Sequence, residues 1–164
     1  MTRLLAGCGL VAVLLGPPLE AQGLPSGAPG RPLRVDGQQE LYFGELLTGL
    51  PSAVLRNDPL RAGRIQIAGE RHADVLVFFL LPSALVGPGG ADVPLVFGPT
   101  DAGWSPERSI DLQAPFDPAA PTVLGLPTNG RGLIFLGGTA LPAGTLPAGE
   151  YTANVTLTIS YLGN

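Results

Sequence analysis

Tyr151-Thr152-Ala153-Asn154-Val155-Thr156-Leu157-Thr158-Ile159-Ser160-Tyr161 is the stretch that decides the fold class. In an extended chain Tyr151, Ala153, Val155, Leu157, Ile159 and Tyr161 fall on one side, and Thr152, Asn154, Thr156, Thr158 and Ser160 fall on the other. Eleven consecutive residues in period two, rich in β-branched side chains, predict a long strand over 151–162 with one face in a core and one in water. Working back along the chain, short apolar runs bounded by turn residues predict further strands at 40–43, 63–68, 74–81, 93–97 and 132–136, with less regular ones at 53–56 and 109–112. The 24 Gly and 18 Pro stand mostly between these runs, as at Pro82, Gly87-Pro88-Gly89-Gly90, Pro99, Pro118, Pro121 and Pro127. Such spacing leaves no room for long helices and suits an all-β sandwich of short antiparallel strands.

One run breaks the alternation. Val75-Leu76-Val77-Phe78-Phe79-Leu80-Leu81 is apolar on both faces. Two arrangements account for it: a central strand whose outer face a loop covers, or the wall of an exposed groove that receives a strand from another chain.

The ends of the chain read differently. Met1-Thr2-Arg3 gives a positive start, Leu4 to Leu15 carries no charge, and Gly16-Pro17-Pro18 then leads to Leu19-Glu20-Ala21. This order is that of a secretory signal peptide over residues 1–21, cleaved after Ala21. The apolar stretch is shorter than the roughly 20 residues of a membrane span. Leu5-Ala6-Gly7-Cys8 has the form of a lipobox, but Gly9 to Leu15 follow it where a lipobox closes the apolar stretch, so Cys8 is read as an ordinary residue of the signal rather than a lipidation site. Residues 22–39, rich in Gly, Pro and Gln with only Leu33 and Val35 alternating, read as a flexible N-terminal extension. Residues 40–164 are then one sandwich domain, exported to the periplasm, cell surface or medium, with no membrane span in the mature chain.

Composition narrows the chemistry. The formal net charge is −4, all nine basic residues are Arg, and there is one Cys, one His and one Trp. A disulfide framework and a zinc cluster lack the residues they need, and a charge-driven nucleic-acid binder should be basic. The lone His72, in Arg71-His72-Ala73-Asp74, has no G-x-S-x-G elbow to serve and reads as a surface residue at a turn. Acidic residues show no metal-loop spacing. Trp104, with Asp101 and Arg108 near it in sequence, suits either a cap on the core or a sugar-stacking platform, and the first is preferred. Leu141-Pro142-Ala143-Gly144 and Leu146-Pro147-Ala148-Gly149 read as turns, not sortase signals. Asn154-Val155-Thr156 is a formal glycosylation sequon, read as coincidental because it sits inside the expected strand. No catalytic, cofactor-binding or metal-binding residues are assigned, and no cofactor is expected.

Gly132-Leu133-Ile134-Phe135-Leu136-Gly137-Gly138-Thr139-Ala140-Leu141-Pro142-Ala143-Gly144, followed by Pro147-Ala148-Gly149-Glu150-Tyr151-Thr152, resembles the bacterial secreted family called domain of unknown function 4402. Tyr42-Phe43-Gly44-Glu45-Leu46 is similar to that family's aromatic Phe-Gly-x-Leu segment. The resemblance spans residues 40–164, is strongest near the C-terminus, and departs most at residues 93–121. It implies an immunoglobulin-like sandwich akin to spore-coat-protein-U-like and pilin domains, and a structural or adhesive surface role without catalysis. Strand pairing with copies of itself or with other surface proteins is the mode of assembly it implies, a neighbour's extension supplying a strand. A monomeric secreted carbohydrate- or ligand-binding module is the alternative reading.

Overall fold

A computed structural model describes residues 30–162. The proposed signal peptide, Cys8 and residues 22–29 of the proposed extension lie outside the described residues. Twelve strands follow in order: β1 (Arg34–Gln39), β2 (Ser52–Val54), β3 (Gly63–Ala68), β4 (Asp74–Leu80), β5 (Ala84–Val86), β6 (Asp92–Val96), β7 (Ala102–Ser105), β8 (Ala114–Phe116), β9 (Thr122–Gly125), β10 (Arg131–Leu136), β11 (Gly138–Ala140) and β12 (Thr156–Tyr161). Every strand ladder is antiparallel, as the short connections and turn residues require. The chain is an all-β antiparallel sandwich. Among the described residues no helix is long and apolar enough to cross a membrane.

The strands form a five-stranded sheet in the order β1-β3-β10-β7-β8, a four-stranded sheet β2-β11-β6-β5 and a three-stranded sheet β12-β4-β9. Their inward faces meet in one core. Ile65 and Ile67 of β3, Ile134 and Leu136 of β10, and Ala102 and Trp104 of β7 come from the first sheet. Val75, Val77 and Phe79 of β4 come with Leu124 and Leu157 from the third, and Val54, Leu85, Val93, Leu95 and Ala140 from the second. Phe79 and Phe116 bring the first and third sheets together, their ring centroids 6.5 Å apart.

The Gly137-Gly138-Thr139 stretch is a crossing between sheets. β10 ends at Leu136 in the five-stranded sheet, and β11 starts at Gly138 in the four-stranded one. Between them Gly137 runs so close to the β2 chain that a Cβ would collide with the Val54 carbonyl oxygen and lie 2.8 Å from the Arg56 nitrogen. Only glycine permits that approach.

The long C-terminal strand is shorter as a ladder than its alternation suggests. Six residues, Thr156–Tyr161, pair with β4, whereas Thr152 makes an isolated bridge to Val86 at the end of β5. Residues 153–155 belong to no ladder, yet Tyr151, Val155 and Leu157 are buried and Thr152, Asn154 and Thr158 exposed. The segment passes from one sheet to the other while one side stays turned to the core. Asn154 therefore lies outside a strand and is exposed, not in mid-strand.

Three further expectations are corrected. Of the extension read as flexible over 22–39, residues Arg34–Gln39 form β1, paired with β3 along its length apart from an irregularity between Gly37 and Gln39. Leu33 and Val35 pack against the core, and that anchoring holds the Gln-rich segment in a ladder despite its weak pattern. Residues 40–43 make no strand, although Leu41 and Phe43 are buried; Tyr42 instead donates its N–H to the Arg61 carbonyl. Residues 109–112 form a bend in which Ser109 N–H donates to Ser105 Oγ and Asp111 N–H to Ser109 Oγ, local bonds that compete with a ladder.

Candidate functional site

Register brings together residues that the sequence keeps far apart. On the outer face of the five-stranded sheet Arg34 of β1 stands opposite Ala68 of β3, and Ala68 stands opposite Arg131 of β10. Side chains directly opposite share a face, and strands are about 4.8 Å apart, so the two arginines straddle Ala68 with their backbones about 10 Å apart. One step along, Asp36 stands opposite Gln66. Arg31 completes the group. Its carbonyl accepts a 2.6 Å hydrogen bond from the Tyr161 hydroxyl, which in turn accepts the Glu70 N–H at 2.7 Å. Thus the last residue of β12 fixes the N-terminal segment, and Arg31 Nη1 lies over Gly130, 3.6 Å from where a Cβ would stand.

Arg31, Pro32, Arg34, Asp36, Gln66, Ala68 and Arg131 line an open groove of about 430 Å³. None of the three guanidinium groups makes a hydrogen bond or an ion pair among the described residues, where the ion pair present is Arg61 with Asp58. Ala68 forms a small floor between the two flanking arginines. The groove stops short of β7, because Leu133, Phe135 and Ser105 on the same face are buried. There Arg64 lies 6.0 Å over the Phe135 ring, Arg56 and Gln113 pack over Gly103, and Arg56 donates to the Thr100 carbonyl at 2.8 Å.

A second feature is apolar. β4 has its own chain on both sides, β12 and β9, so neither edge of β4 is open to a donated strand. Val75, Val77 and Phe79 face the core. The outer face carries Leu76, Phe78 and Leu80, with Val123 of β9 opposite Leu76. Phe78, Leu80 and Val123 are 43%, 64% and 53% exposed, so no described loop covers this face. Each sequence arrangement of this run is therefore half realised: the strand is central, but its outer face is bare.

The residues weighed from sequence do not converge on either feature. His72 is exposed on the turn between β3 and β4, with φ of 58° and its N–H given to the Leu126 carbonyl. Trp104 is 7% exposed and its ring lies across Gly132, so it packs in the core and offers no sugar platform. Asp101 accepts the Gly98 N–H at 2.7 Å and shapes the turn before β7, while Arg108 is exposed beyond it. The groove arginines were not singled out from sequence. The pairing of β1, β3 and β10 creates the site, and no local motif encodes that pairing. No model of a known protein family and no curated protein matches this chain.

Proposed function

We propose that the chain is an exported, immunoglobulin-like structural or adhesive surface component, without catalysis, that associates with copies of itself. The observation that supports this is the bare apolar stripe on the outer face of β4, where Phe78 and Leu80 lie exposed. The exposed Val123 of β9 stands opposite Leu76, and Thr156, Thr158 and Ser160 of β12 bound the stripe. Contiguous apolar surface of this kind marks contact sites, and on a strand as apolar as β4 it is an aggregation hazard if left uncovered. Face-to-face packing of two such sheets would bury it. Donation of β1 to a neighbouring β3 is the strand-exchange form of the same proposal, since β1 is an edge strand at the N-terminal end of the fold.

Sedimentation of the purified protein over a range of concentrations tests both forms. Dimers that Phe78→Ser with Leu80→Thr converts to monomers support face packing. Dimers that survive those changes but disappear when residues 22–39 are removed support exchange of β1. A wild-type protein that stays monomeric at millimolar concentration overturns the proposal. The second reading, a monomeric carbohydrate- or ligand-binding module, draws its support from the arginine-lined groove, since Trp104 is buried.

A further inference from the structure

We infer that the groove between β1, β3 and β10 is a binding site for a small hydroxylated ligand that bears an oxyanion, a carboxylate or a phosphate ester. The inference is independent of face-to-face association, because the groove lies on a different sheet from the apolar face.

The argument begins with charge. This chain has few cations, all of them Arg, and a net charge of −4. Three of those arginines line one groove of about 430 Å³. A fold that needed them only for solubility would disperse them or pair them with its more numerous carboxylates. Elsewhere Arg61 pairs with Asp58, Arg64 donates to the Pro59 carbonyl and Arg56 to the Thr100 carbonyl, while Arg71 and Arg108 stand exposed on two different loops. Arg31, Arg34 and Arg131 have no such partner among the described residues.

Geometry selects the ligand class. Guanidinium forks match carboxylate and phosphate oxygens in two-bond arrangements that Lys cannot make. Arg34 and Arg131 flank Ala68, whose methyl leaves the floor open, so one oxyanion can sit above it within reach of both. Arg31 is held in place through its carbonyl by the Tyr161 hydroxyl, which reduces the ordering needed on binding. Asp36 and Gln66 lie beside the cationic end. A lone carboxylate there would repel a bare anion, but it accepts hydroxyl groups, and the Gln66 amide can donate or accept. A groove of this volume falls in the range that holds small ligands. Cations at one end and hydroxyl partners at the other describe an acidic sugar unit or a sugar phosphate.

Three probes share one frame and differ only at the oxyanion: glucuronate, glucose 6-phosphate and glucose, each titrated into the isotope-labelled protein and followed through its amide resonances. The expected result is a saturable shift of the Gln66, Ala68, Gly130 and Arg131 amides with glucuronate or with glucose 6-phosphate and none with glucose; whichever acidic probe acts identifies the oxyanion. Arg34→Gln and Arg131→Gln should each weaken binding about tenfold, and together abolish it. Arg34→Lys should bind more weakly than wild type although the charge is kept. Both arginines are exposed, so unchanged circular dichroism and unfolding midpoint separate loss of binding from loss of fold. The inference is overturned if neither acidic probe moves these amides, if glucose moves them equally, or if the double variant titrates as wild type does.

Discussion

Replacing Gly132 by Ala asks whether the single tryptophan is a core element or a surface platform. Gly132 lies in β10 opposite Ile67, and Trp104 lies one pair along, opposite Ile134. A Cβ on Gly132 would overlap Trp104 Cη2 outright and lie 2.6 Å from Cζ2 and 2.8 Å from Cζ3. These are ring atoms of a side chain 7% exposed, not the tip of a flexible chain that can swing aside. Overpacking of this type costs about 1–3 kcal/mol. The loss of glycine freedom in the unfolded chain returns about 0.4–1 kcal/mol. Net destabilisation of about 1–2 kcal/mol is therefore expected for Gly132→Ala, from the difference of those two effects. Trp104→Leu alone should cost more, about 3 kcal/mol, by analogy with other truncations of large buried rings. Its smaller side chain leaves room for the new methyl, so Gly132→Ala in the Trp104→Leu background should cost nothing or stabilise slightly. Urea unfolding followed by far-UV circular dichroism gives all four stabilities without relying on the tryptophan itself. Equal costs of Gly132→Ala in the two backgrounds would refute the packing argument, because a platform exposed to solvent has no coupling with the residue beneath it.

Tyr161→Phe deletes a hydroxyl that donates to the Arg31 carbonyl and accepts the Glu70 N–H. A loss of about 1–2 kcal/mol is expected, with faster amide exchange at Arg34 and Asp36, whose N–H groups face β3, and unchanged exchange there would remove the clasp as an explanation of how the N-terminal segment is held. The Asp58 carboxyl is held below its usual 3.8, first by the Leu60 N–H and then by the Arg61 side chain. Because the folded value is depressed, its contribution is complete above 3.8 and is lost as pH falls through the lower folded value. The stability gap between wild type and Asp58→Asn should therefore shrink on acidification below pH 3.8, and a gap that stays constant to lower pH would show that the carboxylate adds nothing to this turn.

Alternation in the sequence reported which way residues face more faithfully than whether they pair. Tyr151 to Tyr161 keeps one side inward throughout, yet only Thr156–Tyr161 forms a ladder, because the segment changes sheets on the way. Leu41 and Phe43 are likewise buried in alternate positions without belonging to a strand. Strands with ordinary patterns, β3, β4, β6 and β10, lie within a residue or so of where their apolar runs place them. Three of the strands that escaped detection, β7, β11 and β1, lack the pattern for physical reasons. All four residues of β7, Ala102-Gly103-Trp104-Ser105, are buried, so neither face is polar. β11 is Gly138-Thr139-Ala140, three small residues that local propensity assigns to a turn and that the neighbouring strands β2 and β6 hold extended. β1 is polar on its outward side and has only Leu33 and Val35 to anchor it, and its pairing with β3 makes it a strand. The immunoglobulin-like and pilin-like expectations concern strand connectivity and partners, which local patterning does not encode.

The arginine groove was illegible for a related reason, and its existence qualifies the inference from net charge. A total of −4 argues against polyanion binding when charge is spread evenly over the surface. At physiological salt, however, charges act over about 8 Å, so a bound ion responds to the groups around the groove and not to the total. Around this groove those groups are Arg31, Arg34 and Arg131 against Asp36. The nearest other acid along the chain, Glu70, bonds through its side chain to the Arg71 N–H and through its backbone N–H to Tyr161. The local balance is thus positive within an acidic molecule. A strand register fixed by Val35 opposite Ile67 and Gly132 opposite Ile67 sets that balance. A slip of one residue in either ladder would turn Arg34 or Arg131 toward the core, at a cost no sandwich of this size could bear. The same apolar residues that hold the sheets together therefore keep the arginines on the surface in one group.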